Sequence, residues 1–152
     1  MELRLIDLDE HEKRFNEIEN IKNPILNNKT KVEYALSTLS LCGKKYEVNP
    51  PKKKSMKMKI GSCYSNSIKK SEDGFEYVEG VITSKKDGNK ISHAWNIDSE
   101  GNHYDFTLID TKNYEYFGVV IPYGLLFEIG KRNGYIWYCS LPYLEIKSEI
   151  NQ

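Results

Sequence analysis

The chain has 152 residues with 22 basic against 22 acidic side chains, so its formal net charge is zero. At this length one domain with its own hydrophobic core is expected, and the balanced charge argues against a strongly basic nucleic-acid-binding protein. No apolar run reaches the roughly 18 residues of a membrane span, and the N-terminus lacks the pattern of a signal peptide. We therefore expect a cytoplasmic single domain over 1–152, with a helical N-terminal segment over 1–45 and a chemically active core over 60–140.

The first 45 residues predict two helices. Residues 8–22 place apolar side chains at helical spacing, and Asn23-Pro24 ends this pattern. A second helix is expected from Thr30, a capping residue with Glu33 three positions on, to a stop at Gly43. Its expected buried side comprises Val32, Tyr34, Ala35, Leu39 and Leu41. Residues 44–58 then predict a solvated, lysine-rich surface loop, with a patch for nucleic acid or an acidic partner as the alternative.

The stretch Gly61-Ser62-Cys63 leads a small-residue turn into a helix expected over 62–71. Ser62 is its expected cap, and Tyr64 and Ile68 are expected to face the core. From residue 75 the pattern alternates with period two, which predicts strands over 75–83, 91–97 and 102–108. A strand over 114–121, a short helix over 123–131 and a final strand over 135–140 follow. Helices followed by mostly antiparallel strands define an α+β class.

The second hairpin of this sheet has a predictable register. With Gly101 in the left-handed region, the loop is Ser99-Glu100-Gly101 and Asp98 pairs with Asn102. Continuing this pairing sets Trp95 opposite Asp105 and puts His93 and Asp105 on one face as diagonal neighbours. Such neighbours lie about 7–8 Å apart at the backbone, which a carboxylate–imidazole hydrogen bond can span. A shift by one residue would place Asp105 on the other face.

Cys63, His93 and Asp105 thus form a candidate catalytic triad. A helix N-terminus and an imidazolium both stabilise a thiolate. His93 is expected to take the thiol proton and later protonate the leaving group, while Asp105 holds one imidazole tautomer. The backbone N–H of Cys63 is the expected oxyanion donor, and a second donor is expected within 44–61. The side chains expected to contact substrate or line its cleft are Tyr64, Asn66, Glu79 and Trp95.

The order of Cys63 at a helix start, then His93 and Asp105 on successive strands, resembles the papain-like superfamily and, within it, the transglutaminase-like and arylamine acetyltransferase-like branch. A group of small uncharacterised bacterial and phage proteins is similar in five segments: Gly61-Ser62-Cys63-Tyr64-Ser65-Asn66-Ser67, Tyr77-Val78-Glu79-Gly80, Ser92-His93-Ala94-Trp95-Asn96, Tyr104-Asp105-Phe106-Thr107 and Tyr116-Phe117-Gly118-Val119. The resemblance covers about residues 60–120. It implies a nucleophile helix packed on a mostly antiparallel sheet, with Cys63 as nucleophile, His93 as base and Asp105 as orienter.

The function expected from these residues is cysteine-dependent acyl transfer, by hydrolysis or transfer at an amide or thioester-type bond. The expected substrate is a protein, a peptide or a small amide, and no metal or cofactor is expected. One alternative is a catalytically inactive phage or bacterial protein that binds a host partner through the same fold. Another is a redox or zinc-binding domain, although the sequence has no paired ligand motif.

Three further residues have competing interpretations. His103 shares the parity of His93 in the hairpin and is a rival base, but it lies near the turn and is expected to be exposed. Cys42 and Cys139 are expected to be core residues, because free cysteine is among the most often buried residue types. The low and odd count of cysteines, without a secretion signal, indicates reduced thiols.

Overall fold

The described part of the protein is an α+β structure of four α-helices and two β-sheets. It is a computed structural model that describes residues 2–22, 28–51, 63–108, 110–135 and 138–147. The helices are α1 (Leu8–Ile21), α2 (Asn28–Cys42), α3 (Cys63–Glu72) and α4 (Tyr123–Arg132). The strands are β1 (Glu2–Leu5), β2 (Lys44–Tyr46), β3 (Val48–Asn49), β4 (Glu76–Ser84), β5 (Lys90–Ile97), β6 (His103–Tyr104), β7 (Tyr114–Ile121) and β8 (Leu144–Lys147). Among these elements, no helix combines the length and apolar character that a membrane crossing requires.

The helices follow the predicted pattern closely. α1 is capped by Asp7, whose side chain accepts a hydrogen bond from the backbone N–H of Glu10. The buried side of α2 includes Val32, Ala35 and Leu39, whereas the expected core residue Leu41 is 56 % exposed. Leu41 lies two positions beyond Leu39, which at 3.6 residues per turn is about 200° around the helix and therefore on its other side.

The main sheet has six strands in the order β2-β7-β4-β5-β6-β3. The three long strands form its centre, with β4 antiparallel to both β5 and β7. β5 continues into β6 through the predicted hairpin. The strands expected over 75–83, 91–97 and 114–121 are therefore present, and the strand expected over 102–108 is present in shortened form as β6.

Residues 44–49 close this sheet, and the prediction of a surface loop here is wrong. β2 pairs with β7 on one side, and β3, one residue further on, pairs with β6 on the other. A single segment thus bridges the two outer edges of the four-stranded centre. Its edge pairing depends on strands more than 50 residues away, which a local lysine-rich pattern does not reveal. The remainder of the expected loop, residues 52–58, lies outside the described residues.

The two faces of the sheet bury separate cores. One face packs against the helices, with Ile18, Leu39 and Ile68 meeting strand residues such as Val81 and Ala94. The other face is enclosed by the closing segment and by the loop after β6. Its core comprises Val48, Val78, Ile82, Trp95, Ile97 and Tyr116.

The two ends of the described chain meet in a second, two-stranded sheet. β1 runs antiparallel to β8, with Leu3 opposite Ile146. The expectation of a purely helical N-terminal segment is therefore wrong, because this segment begins with the strand β1. No strand is present at Tyr135 or at residues 138–140; residues 136–137 of the expected final strand lie outside the described part. The segment instead turns through a short 3-10 helix, Leu141–Tyr143, into β8.

Candidate active site

Helix α3 begins at Cys63 and is fixed against β5 by polar contacts along its length. The amide of Asn96 donates to the carbonyl of Ser67 at 2.9 Å, and the hydroxyls of Tyr64 and Ser92 lie 2.6 Å apart. Within β5, β6 pairs with Asn96 and Ile97, so this ladder leaves the first part of β5 free for α3. The first turn of α3 therefore lies beside His93. The expected cap, Ser62, lies outside the described residues.

The hairpin that carries the candidate base and carboxylate has the predicted register. Asn96 pairs with Tyr104 and Ile97 with His103, and Gly101 has a φ of +87°. The Asp98 side chain fixes the turn by accepting the backbone N–H groups of Glu100 and Asn102. The strand is shorter than the expected 102–108, because β6 ends at Tyr104 and the chain then turns.

Asp105 follows that strand end and forms the predicted contact with His93. Nε2 of His93 lies 2.6 Å from Oδ2 of Asp105. Cys63 lines the same cleft as His93, and its interaction with the imidazole raises the pKa of His93. Because Nε2 is engaged by the carboxylate, Nδ1 is the ring nitrogen left for the thiol.

Asp105 is completely buried and is surrounded by donors. Its Oδ1 accepts the backbone N–H groups of Thr107 and Leu108, each at 2.9 Å. Its Oδ2 accepts the Tyr116 hydroxyl at 2.7 Å in addition to the His93 contact. Burial opposes the charged form, but the positive charge and hydrogen bond of His93 and these other donors together lower the pKa of Asp105. The carboxylate is therefore held ionised and oriented.

His93 is held in its charged form by the same arrangement. Burial alone would lower its pKa, but the charges and hydrogen bonds of Cys63 and Asp105 raise it to about 10. Only 6 % of the residue is exposed, which limits the screening of these interactions by water. A protonated imidazole next to a thiol is the arrangement that stabilises a thiolate.

A layer of aromatic side chains packs against His93 of the candidate triad. The Trp95 ring stacks beside His93 with 6.5 Å between centroids and meets Tyr116 edge-on at 5.0 Å. Its indole N–H donates to Nδ1 of His103 at 2.9 Å. Gly118 leaves room for this ring, since a Cβ at that position would lie 2.6 Å from Trp95.

His103 is a member of this layer, and the expectation that it is exposed is wrong. It is 7 % exposed and stacks on Tyr46 with 4.0 Å between ring centroids. Burial lowers its pKa to about 4, so it stays neutral and accepts the Trp95 N–H. It faces the indole of Trp95, and its role in the site is to hold that ring.

A cleft of about 560 Å³ adjoins the thiol. Its polar lining is Asn28, Lys31, Cys63, Ser92, His93 and Thr107. Its apolar and aromatic lining is Tyr64, Ile82, Ile91, Leu108 and Tyr114. Cys63 and His93 therefore face a space large enough for a small acyl group or a side chain.

The four residues expected to contact substrate have different positions. Tyr64 lines the cleft. Asn66 is 8 % exposed and donates to the Thr107 hydroxyl at 2.9 Å, which ties α3 to the loop that carries Asp105. Trp95 and Glu79 are both completely buried and are absent from the cleft lining. Both side chains therefore lie in the interior.

Glu79 has a structural partner instead. It points to the helix-facing side of the sheet and accepts the Ser140 N–H at 2.7 Å, the Leu141 N–H at 2.8 Å and the Tyr77 hydroxyl at 2.6 Å. Burial raises its pKa to about 7, against the opposite effect of these hydrogen bonds. Glu79 therefore anchors the chain before β8 to the centre of the sheet.

Tyr116 and Gly118 contribute to the site, although no role was predicted for them beyond the resemblance of the segment Tyr116-Phe117-Gly118-Val119. Both lie on β7, two strands away from His93 across β4. The alternation of residues along β7 gives Tyr116 a core-facing position. This predicts that its side chain is buried, but it does not reveal the hydrogen bond to Asp105. A usable signal is the small residue at Gly118, two positions on, since a glycine in a strand interior often marks close approach of another group.

Comparison of the chain with protein-family models, curated proteins and solved structures gives no match. Within the described residues, no group of three or more His, Cys, Asp or Glu side chains is arranged to hold a metal ion. Cys42 and Cys139 are free cysteines; Cys42 is partly buried and Cys139 fully buried. The chemistry of the site is therefore interpreted from the geometry of Cys63, His93 and Asp105.

Proposed function

We propose that the protein is a cysteine-dependent acyl-transfer enzyme that acts on an amide or thioester-type bond. The observation that carries this proposal is the position of His93, whose Nε2 lies 2.6 Å from the Asp105 carboxylate and which lines the same cleft as Cys63. Nucleophile, base and orienter in hydrogen-bond series form the general signature of covalent acyl transfer. The cleft beside them provides a place for the acyl group.

In this proposal the Cys63 thiolate attacks the substrate carbonyl carbon and forms a C–S bond. The carbonyl oxygen gains the negative charge, and the backbone N–H of Cys63, free of an intrahelical partner at the start of α3, donates to it. When the bond to the leaving group breaks, imidazolium His93 gives that group its proton. Water or an amine then attacks the thioester, His93 takes the proton of this second nucleophile, and the thiolate leaves.

The role of Asp105 in the proposal is to hold His93 and to balance its charge. The carboxylate is bound by four donors, so it keeps one orientation as His93 gains and loses its proton. Such an orienter is not itself protonated during the reaction. The proposal also relates the chain to papain-like, transglutaminase-like enzymes, and it is supported by the thiol at the start of a helix, by His93 on β5 and by Asp105 directly after the antiparallel neighbour β6.

The experiment is alkylation by iodoacetamide followed by peptide mapping. In the proposed enzyme Cys63 reacts much faster than Cys42 and Cys139. His93→Ala is expected to slow labelling of Cys63 by about tenfold to a hundredfold, because it removes the imidazolium beside the thiol. The matched control is His11→Ala, since His11 lies on α1 and does not line the cleft. Equal labelling of Cys63 in wild type and His93→Ala would refute the proposal.

The same variants separate an enzyme from an inactive binding protein. If the biological activity of the protein is measurable, Cys63→Ala abolishes it in the enzyme and leaves it intact in a binding protein. Cys63→Ser is a second variant with nearly the same volume, so a loss in both variants points to the chemistry of the thiol and not to packing.

A further inference from the structure

Lys31 is the cleft residue whose role the triad does not explain. It lies in the first turns of α2 and lines the same cleft as Cys63 and His93. None of the cleft-lining residues is an aspartate or a glutamate. Nor does any described residue form an ion pair with Lys31. The cleft therefore holds an ammonium group without a carboxylate partner among the described residues.

The position of Lys31 is fixed by its neighbours. Asn28, three residues earlier on α2, donates to the carbonyl of Lys90 at 2.9 Å and accepts the backbone N–H of Ser92 at 3.3 Å. These bonds attach the start of α2 to the edge of β5 next to His93. The Lys31 ammonium then lies 5.7 Å from the centre of the Tyr64 ring, within cation–π range.

The cleft lining also has an apolar part. It includes Ile82, Ile91 and Leu108, and such side chains favour the methylene groups of a ligand over its charges. A ligand with its reactive carbonyl at Cys63 would therefore place an aliphatic part against these side chains and an anionic part beside Lys31.

We propose that Lys31 makes the cleft selective for acyl donors that carry a carboxylate close to the reacting carbonyl. This inference rests on the proposed acyl-transfer function, because it names the substrate class of the same site. An ammonium group in a partly buried cleft attracts an incoming carboxylate by Coulomb interaction. It also provides three donors for the carboxylate oxygens.

The test compares two alkylating probes of similar size, anionic iodoacetate and neutral iodoacetamide. The measured quantity is the ratio of their second-order rates at Cys63. Lys31→Met, which keeps the aliphatic stem, is expected to lower the iodoacetate-to-iodoacetamide ratio about threefold to tenfold. Lys29→Met is the matched control, since Lys29 is exposed on the same helix and does not line the cleft. It should leave the ratio unchanged.

Two outcomes separate this inference from the proposed function. If Cys63 reacts rapidly with both probes but Lys31→Met leaves the ratio unchanged, the selectivity is refuted and the acyl-transfer proposal stands. If Cys63 reacts with neither probe faster than it does in the urea-unfolded chain, the proposed function itself fails. High salt should lower the wild-type ratio towards that of Lys31→Met, and a ratio insensitive to salt would also count against the role of Lys31.

Discussion

His93 and Tyr116 bind the same oxygen atom. Both meet Oδ2 of Asp105, His93 through Nε2 at 2.6 Å and Tyr116 through its hydroxyl at 2.7 Å. The other carboxylate oxygen is occupied by two backbone N–H groups. Asp105 therefore cannot rotate without breaking several bonds, and the orientation of His93 depends in part on a tyrosine two strands away.

Tyr116→Phe tests this dependence. Loss of one buried hydrogen bond is expected to lower the free energy of unfolding by about 1 kcal/mol. Labelling of Cys63 by iodoacetamide should slow severalfold, by less than in His93→Ala, because the His93–Asp105 bond remains. Tyr104→Phe is the control, since Tyr104 lies at the end of β6, directly before Asp105, and is not among the hydrogen-bond donors to the Asp105 carboxylate. If the two variants label Cys63 equally fast, the role assigned to Tyr116 is wrong.

Gly118→Ala tests the packing of the aromatic layer. The added Cβ would lie 2.6 Å from the Trp95 ring and 3.0 Å from Val78. Displacing this buried ring is expected to lower the free energy of unfolding by about 1–3 kcal/mol. Gly124→Ala is the matched control, because a Cβ there meets no atom within 4 Å and Gly124 lies in α4, where alanine is the better helix former. Urea denaturation measures the free energy of unfolding of both variants. Equal values would contradict the close packing of Trp95 against Gly118.

Replacing Glu79 is expected to lower the free energy of unfolding without changing the reactivity of Cys63 in the cleft. In Glu79→Ala the buried N–H groups of Ser140 and Leu141 and the hydroxyl of Tyr77 lose their acceptor, which is expected to cost about 3–5 kcal/mol. Glu79→Gln retains one acceptor oxygen and should lose less. Glu76→Ala, on the same strand but exposed, should stay within about 0.5 kcal/mol of wild type. A stable Glu79→Ala variant would contradict the anchoring role.

The ionisation of His93 has a measurable pH dependence. Its pKa in the folded protein is raised from 6.5 to about 10, so the folded state binds a proton that the unfolded chain has released. The stabilisation from His93 is therefore complete below pH 6.5 and is lost as the pH rises through about 10. NMR titration of the His93 ring should give a midpoint well above 6.5 in wild type and a lower one in Cys63→Ala. A wild-type midpoint at or below 6.5 would contradict the interaction of a charged His93 ring with Cys63 and Asp105.

The contact between His93 and Asp105 could be predicted because the spacing of these two residues is set by one local turn. Gly101 and Asp98 fix the hairpin within a few residues, and the alternation along β5 then puts His93 on the face that Asp105 reaches. The details beyond this turn are not local. Asp105 leaves the ladder because its backbone N–H donates to Asn49, a partner more than 50 residues earlier in the chain.

The parts of the fold that the sequence did not predict are made by distant pairings. β2 and β3 are too short to show a period of two, and they are strands only because β7 and β6 present free edges. β1 depends in the same way on β8 at the other end of the chain. Trp95 and Glu79 were expected to contact substrate or line its cleft, and both are completely buried. Trp95 belongs to the core on one face of the sheet, and Glu79 is covered on the other face by Ser140 and Leu141.

Trapping of a covalent acyl-enzyme tests the central claim most directly. Wild type, Cys63→Ser and His93→Ala are mixed with a panel of activated thioesters that includes succinyl and butyryl donors, and intact mass spectrometry with peptide mapping follows the products. The proposed mechanism predicts an acyl adduct on Cys63 that forms and then decays in wild type. It also predicts that the adduct forms much more slowly in His93→Ala. Absence of the adduct from Cys63 across the panel, or its formation at the same rate in His93→Ala, would contradict the mechanism.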